Sequence, residues 1–346
     1  MQKCRTKIKI KKKKASTLRR IGLKRGLNHL MYSWQERERK CSFGKQNPDH
    51  IFYVIRGINH LSKYYDGVPL NLLAIYSYVL SHLLYASERG WLPIIDQTKD
   101  PVNNKEAYPI HGTSNPWEYF WCQPIPYTLD EIYQSRKVIL SKRKWYEPGN
   151  LQYSVAAHQN KEIIQNLFNL SQSIPLNEYT KDYIAQWKEK LFTKRGRILG
   201  ITLRRGGHCR RDVYHAPHHP IQPTPEELGE IVKQRIEEWG MDTVFLATEE
   251  ELYIEFFSKI FKQKLIWLPR LRYHDWKIYE KDKNPLYQPN QRYQTTLDYL
   301  TEMELLAACN GLIGSITSGL RYAIIQNNMT YEHLEILDYG RFAEHE

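Results

Sequence analysis

The sequence predicts an α/β chain made of two doubly wound, Rossmann-like units with a cleft between them, preceded by a basic arm. Three observations point there. Across the second half, short apolar runs of strand type alternate with amphipathic segments, in the order strand, helix, strand, helix, strand, loop, helix, strand, helix. That order is half of a doubly wound sheet. The first half opens on strand, helix, strand, the beginning of a parallel layer. The excess positive charge sits at one end and leaves the body balanced.

Residues 1–45 are assigned to the arm. Twelve basic side chains lie between Lys3 and Arg25, and the first acid is Glu36. The chain has 50 Lys and Arg against 38 Asp and Glu, a net +12, so the residues outside this run carry equal numbers of each sign. Self-repulsion predicts disorder of the arm in isolation. Such an arm attracts anionic lipid headgroups at roughly 1 kcal/mol per residue, or nucleic acid without sequence preference. A neutral body lacks the basic footprint of a specific nucleic-acid binder. No specific nucleic-acid partner is therefore expected, and the arm is read as a contact with an anionic membrane surface. No apolar core follows the basic start, so no signal peptide is expected. Five cysteines without C-x-x-C spacing predict neither a disulfide framework nor structural zinc, which fits a reducing cytoplasm.

The elements follow in order. In residues 46–190, "HIFYVIRGI" (His50 to Ile58) begins with a β-branched run of strand type. "LNLLAIYSYVLSHLLYA" (Leu70 to Ala86) is interrupted by Asn71, Ser77, Ser81 and His82 and is short for a membrane span. It reads as a buried helix reaching Arg89 and stopped by Gly90. "WLPIIDQ" and "KVIL" (Lys137 to Leu140) read as strands, and about Asn160 to Leu191 as helix broken at Pro175. In residues 191–346, "RILGITL" is a buried strand. Thr224, Pro225 and Glu227 form an N-cap, a first-turn proline and a capping-box acid; that helix ends at Gly240. "TVFLAT", a helix through Phe256 and Ile260, and the strand "KLIWLP" come next. A loop from Arg270 to Gln294 leads to a helix from about Leu297 to Cys309, the strand "GLIGSI" and a last helix opened by "TSGLRYAIIQNN". At 346 residues and 41% hydrophobic, the chain can fill two medium cores.

In open α/β sheets, ligands sit at the carboxyl ends of strands. "GITLRRGGHCRRDVYHAPHHPIQP" (Gly200 to Pro223) puts Arg204 and Arg205 there, followed by Gly206 and Gly207. Planar guanidinium forks match the oxygens of a diphosphate; the same residues also suit a solvated basic loop. In "SITSGLRYA", Ser315, Thr317 and Ser318 stand where a strand becomes a helix, a place that accepts phosphate oxygens and equally suits a plain N-cap. His208, Cys209, Asp212, His215, His218 and His219 are of metal-ligating type, but their spacing matches no zinc pattern. No metal and no bound cofactor is expected.

These motifs resemble those of the α1,6-fucosyltransferase and protein O-fucosyltransferase superfamily, and more closely its bacterial polysaccharide-associated members. "LRR" at Leu203 to Arg205 resembles the donor-binding arginine motif, and "HPIQP" from His219 the segment after it. "VFLATEEE" resembles a strand end of the group, and "LTEMELLAACNGLIGSITSGLRYA" its final motif. "FYVIR", "YASERGWLPIIDQ" and "NPWEYFW" resemble the acceptor side. The resemblance spans about Asn47 to Asn328. It implies a GT-B fold with acceptor-side residues 46–190 and donor-side residues 191–346, a GDP-sugar as donor substrate, a glycan acceptor, inversion and no metal.

The resemblance also assigns roles. Arg204 and Arg205 would meet the diphosphate. Thr317 and Ser318 would meet phosphate or ribose, and Glu302 the guanine edge. His219 and Thr202 would be substrate-binding, and Asp212 would be the base. Gly207, Thr202 and Glu302 stand where the group has an aspartate, a histidine and an aspartate. Three other readings stay open: a transferase of nucleotide sulfate, a nucleic-acid binder using its arm, and an inactive sugar-binding homologue.

Overall fold

The computed structural model describes residues 37–58, 71–99, 105–145, 154–204, 220–272 and 291–342. The first half contains β1 (Arg39–Cys41), β2 (Phe52–Arg56), α1 (Leu72–Ser87), β3 (Leu92–Asp96), α2 (Leu129–Ile132), β4 (Val138–Leu140), α3 (Val155–Gln159), α4 (Lys161–Ser171) and α5 (Glu178–Phe192). The second contains β5 (Ile198–Leu203), α6 (Pro225–Glu238), β6 (Thr243–Thr248), α7 (Glu251–Phe261), β7 (Leu265–Ile266), α8 (Arg292–Ala307), β8 (Gly311–Ser315), α9 (Ser318–Asn327) and β9 (His333–Leu337). One sheet runs β1-β4-β2-β3 and the other β7-β6-β5-β8-β9. The pairings are parallel apart from β1 on β4.

Local chemistry explains the regular elements. β5, β6 and β8 are buried along their whole length, as strands covered on both faces must be. The Thr224 hydroxyl accepts from Glu227 N at 3.1 Å and the Glu227 carboxylate accepts from Thr224 N at 2.7 Å. Two orphan donors at the start of α6 are thus satisfied. Gly240, at φ +61°, takes the left-handed conformation that ends the helix. Asn71 caps α1 by accepting from Ala74 N at 2.9 Å, and Gly90 at φ +63° closes its far end.

Four features differ from expectation. β1 lies inside the 1–45 segment assigned to the arm: Arg39–Cys41 pairs with Val138–Leu140 of the first sheet. β9 follows the last expected helix and pairs with β8 at the sheet edge. The strand "KLIWLP" shrinks to Leu265–Ile266, preceded by a 3-10 turn at Lys262–Lys264. α8 starts at Arg292, within the expected loop. No side chain caps it. Its start is fixed from afar: Tyr293 N donates to Glu106 Oε1 at 2.9 Å and Arg292 Nη1 to Lys105 O at 3.3 Å.

Those bonds join the two halves, and one apolar cluster spans them. Tyr76 of α1 packs edge-on against Tyr322 of α9 at 4.8 Å and its hydroxyl accepts from Gln326 Nε2 at 2.8 Å. Tyr183 of α5 donates to Asp298 of α8 at 2.7 Å. No helix among the described residues is long and apolar enough to cross a membrane. The run Lys3 to Arg25 lies outside the described residues, as do Arg205, Asp212 and His219 and the glycines and histidines between them.

Candidate functional site

The carboxyl ends of β5, β6 and β8 share one edge of the second sheet. Thr202 is buried near the end of β5, and a Cβ at Gly314 would come within 2.3 Å of its methyl carbon. Glycine is what lets β8 lie this close. Arg204 leaves the strand one residue after Leu203. Thr248 and Glu249 end β6, Arg270 follows β7, and Tyr299, Glu302 and Met303 come from α8. Thr317 and Gly319 begin α9. Together these residues line a small, open cleft.

Its charges are arranged in two tiers. At the mouth, Arg204 Nε stands 3.6 Å from Glu249 Oε1, with the two side chains 27% and 26% exposed. Such a partly hydrated pair holds its partners weakly. Beneath it, Glu302 is buried between two arginines. Arg270 Nη2 donates to Glu302 Oε2 at 2.8 Å and to Thr248 O at 3.1 Å. Arg272 Nη2 donates to Glu302 Oε1 at 2.7 Å and to Leu268 O at 2.7 Å, and its Nε to Thr248 O at 3.2 Å. The three side chains are 3% exposed or less. Burial opposes the Arg270 charge, yet the Glu302 carboxylate outweighs it and holds that guanidinium above its ordinary range. Burial lowers Arg272. Two cations share one anion, so the triad keeps a net positive charge under the cleft, where the surrounding protein screens it less than water would. Arg270 Nε is buried with no hydrogen-bond partner among the described residues.

The third contribution is the start of α9. Thr317 caps it, accepting from Leu320 N at 3.1 Å. The first N–H groups of a helix lack intrahelical partners and attract anions. A Cβ at Gly319 would lie 2.7 Å from Met303 Sδ and 2.8 Å from the Tyr299 hydroxyl, so glycine lets this first turn seat against α8.

Thr202, Arg204, Glu302 and Thr317, all singled out from the sequence, are therefore brought together. Ser318 is adjacent, but its hydroxyl bonds Asn71 Oδ1 at 3.2 Å, at the N-cap of α1. Both Glu302 oxygens accept from arginines, so this residue fixes their geometry. Sequence reading passed over Glu249, Arg270 and Arg272. Glu249 stood in a quoted strand end without a role. The two arginines fell in a segment read as loop, where only the preceding buried strand hinted at a ligand-facing position. Among the described residues no group of three His, Cys, Asp or Glu could hold a metal ion; the histidine-rich stretch 208–219 is outside them.

No family model and no curated protein matches the chain. Solved structures of similar outline exist. Fucosyltransferase NodZ from Bradyrhizobium is 15% identical, with a TM-score of 0.43, over 80% of this chain and 92% of that one; NodZ α1,6-fucosyltransferase has also been co-crystallised with GDP. POFUT1 in complex with GDP is 7% identical, with a TM-score of 0.46, over 83% and 98% of the two chains. A mutant of Arabidopsis thaliana FUT1 in complex with GDP is 11% identical, with a TM-score of 0.43, over 85% and 72%. Agreement this loose leaves its function to be argued from its own residues.

Proposed function

We propose that this chain is a glycosyltransferase that moves fucose, or a related sugar, from a GDP-sugar to a glycan acceptor. It works with inversion and without a divalent metal, in a GT-B arrangement whose acceptor side is residues 46–190 and whose donor side is residues 191–346. The observation that carries this reading is the convergence of Arg204, Arg270 and the first turn of α9 on one cleft at the carboxyl edge of a parallel sheet.

The chemistry needs such a place. As the sugar–phosphate bond breaks, the anomeric carbon becomes cationic and negative charge grows on the β-phosphate. Fixed donors aimed at that charge stabilise the transition state more than the ground state. Arg204 supplies a fork at the mouth, with Arg205 beside it in sequence. The Glu302 clamp holds Arg270 still, so little reorganisation is needed when the phosphate gains charge. Thr317 and Ser318 present backbone N–H groups. Asp212 takes the acceptor proton in this scheme, and His219 contacts substrate. The motif resemblance supports the guanine nucleotide and the sugar class. The basic run Lys3 to Arg25 would hold the enzyme against an anionic membrane, at the cytoplasmic face, in polysaccharide synthesis.

A thermal-shift panel of GDP, UDP, CDP and ADP with their sugars tests the donor, because stabilisation follows affinity. GDP and GDP-fucose are expected to raise the melting temperature most. A shift confined to 3′-phosphoadenosine nucleotides would point instead to sulfuryl transfer. Stabilisation by GDP-fucose without turnover on any glycan would mark an inactive sugar-binding homologue. Turnover lost in EDTA and restored by manganese would end the metal-free reading.

A further inference from the structure

The stretch "NPWEYFW" (Asn115 to Trp121) anchors three pieces of chain that carry surface aromatic rings. The first is a two-residue hairpin. Ile110 and Thr113 exchange both backbone hydrogen bonds at 3.0 Å, and between them His111 and Gly112 have φ of +50° and +81°. Positive φ at both central residues is what a type I′ turn requires, and asparagine is the residue it favours ahead of glycine. The Thr113 hydroxyl donates to Glu118 Oε2 at 2.5 Å. The second piece is the start of α5. Its cap Asn177 accepts from Thr180 N at 2.9 Å and donates through Nδ2 to Glu118 O at 3.0 Å, and Asn177 N donates to Phe120 O at 2.9 Å. The third is the start of α8, where Tyr293 stacks on Phe120 at 5.5 Å.

The three pieces meet ring to ring. The His111 ring lies 3.9 Å from the Tyr179 ring and 3° from parallel. It also packs edge-on against Tyr293 at 5.4 Å and bonds the Tyr293 hydroxyl through Nε2 at 2.8 Å. The turn alone calls for asparagine; the imidazole adds a ring that props Tyr179. Tyr179 is 62% exposed although His111 covers one of its faces, so its opposite face and hydroxyl edge are open to water. That open face adds nothing to the burial that stabilises the fold. A ring already held in place loses little freedom when it binds a partner.

An open phenol face has a matching ligand. A pyranose carries C–H groups on its faces and hydroxyls around its rim. The electron-rich face of a tyrosine attracts the C–H groups, and its hydroxyl exchanges hydrogen bonds with the rim. A nucleobase also stacks on tyrosine, but it brings a phosphate that needs a cation. The charges flanking Tyr179, Glu178 and Lys181, pair with each other at 2.8 Å. We propose that Tyr179, propped by His111, is a glycan subsite that takes the apolar face of a neutral pyranose. Asn115 ties the hairpin to the carboxyl end of β3, accepting from Gln97 N at 3.1 Å and donating to Ile95 O at 2.8 Å. α8 continues from Tyr293 to Glu302 beneath the cleft, a rise of about 14 Å along its axis. A glycan several sugars long therefore rests on the platform with its modified end at the cleft. Calling that glycan the acceptor rests on the transferase reading; the glycan subsite itself does not.

The test uses the full chain with GDP saturating, so that sugars cannot enter the donor cleft. The probes are cellotetraose, galactotetraose and mannotetraose, with a thymidine tetranucleotide beside them. Calorimetry follows binding, and NMR of isotope-labelled protein follows the histidine and tyrosine rings. At least one tetrasaccharide should bind and shift the His111 and Tyr179 signals, assigned by their absence from the variants. Tyr179→Ala should weaken that binding about tenfold or more, and Tyr179→Phe should keep most of it. His111→Asn suits the turn, so it should fold normally and still weaken binding. GDP affinity should be unchanged in all three variants. No response to any tetrasaccharide, full affinity in Tyr179→Ala, or tighter binding of the tetranucleotide through Tyr179 would overturn the proposal. If GDP fails to bind but tetrasaccharide affinity still depends on Tyr179, the donor reading falls and the subsite stands.

Discussion

The two sheets hold positive charge at their carboxyl edges in opposite ways. On the second, the cleft's cations lie against acids: Arg204 beside Glu249, and Arg270 and Arg272 sharing Glu302. On the first, Arg56 donates to Ser141 O and Arg143 to Gly57 O, so these guanidiniums are held by backbone carbonyls of the neighbouring strand end. The difference has consequences. A guanidinium clamped by a buried carboxylate keeps a fixed direction and suits a transition state. A guanidinium held by backbone carbonyls instead ties one strand end to its neighbour. Position within the fold is the same; the partner of each cation decides what the edge is good for.

The contrast can be broken most severely at Glu302. Replacing it with alanine leaves two buried guanidiniums without their shared counter-ion. Chemical denaturation should then show a loss of about 3–5 kcal/mol, whereas Lys144→Gln on the first edge should cost almost nothing. A Glu302→Ala protein of native stability would mean that the triad does not organise the cleft.

Next comes catalysis. Arg204→Ala should lower turnover by about 3–4 kcal/mol of barrier, roughly a hundred- to a thousandfold, in a protein that stays folded. Arg204→Lys should recover only part, because a point charge cannot form the bidentate fork. Steady-state kinetics on a soluble acceptor would show it. Asp212→Asn should keep donor binding and lose transfer. If Glu249→Gln behaves that way instead, the base is the carboxylate at the cleft mouth.

A pH series sharpens the comparison between halves. His82 and His158 both belong to the first half, and burial lowers them from 6.5 to about 3 and about 4. The unfolded chain binds these protons at higher pH than the folded one. Their contribution is complete above about 6.5 and is lost as pH falls toward the folded values. The expected loss at pH 5 is on the order of 1–2 kcal/mol per histidine. Hydrogen exchange should then show the first sheet losing protection before the second; simultaneous loss would count against the assignment.

The smallest effect concerns the helix start. Thr317→Ala removes the cap of α9 and should cost about 1 kcal/mol of stability, with a modest loss of GDP affinity seen by titration.

How far the sequence foretold this arrangement depended on the range of the interactions. Strands β2, β5, β6 and β8 and the α6 capping box were legible, because apolar runs and Thr224, Pro225 and Glu227 act within a few residues. Arg204 and Thr317 were legible as cleft residues for the same reason: strand ends and helix starts point to ligand edges. α8 was misplaced at its start because Glu106, some 190 residues away in sequence, fixes it. β1 has no strand pattern of its own and exists by pairing with β4. The pairing of Glu302 with two arginines was not legible, since they lie about thirty residues upstream in a segment without periodicity.

The central claim is that Arg204 and its neighbours form a nucleoside-diphosphate cradle. GDP titration of native protein and Arg204→Ala, followed side by side by thermal shift, tests it most directly. The native chain should show a clear GDP-dependent rise in melting temperature, and the variant should melt normally without nucleotide but gain little from it. An equal GDP-dependent rise in both proteins, or none in the native chain, would contradict it.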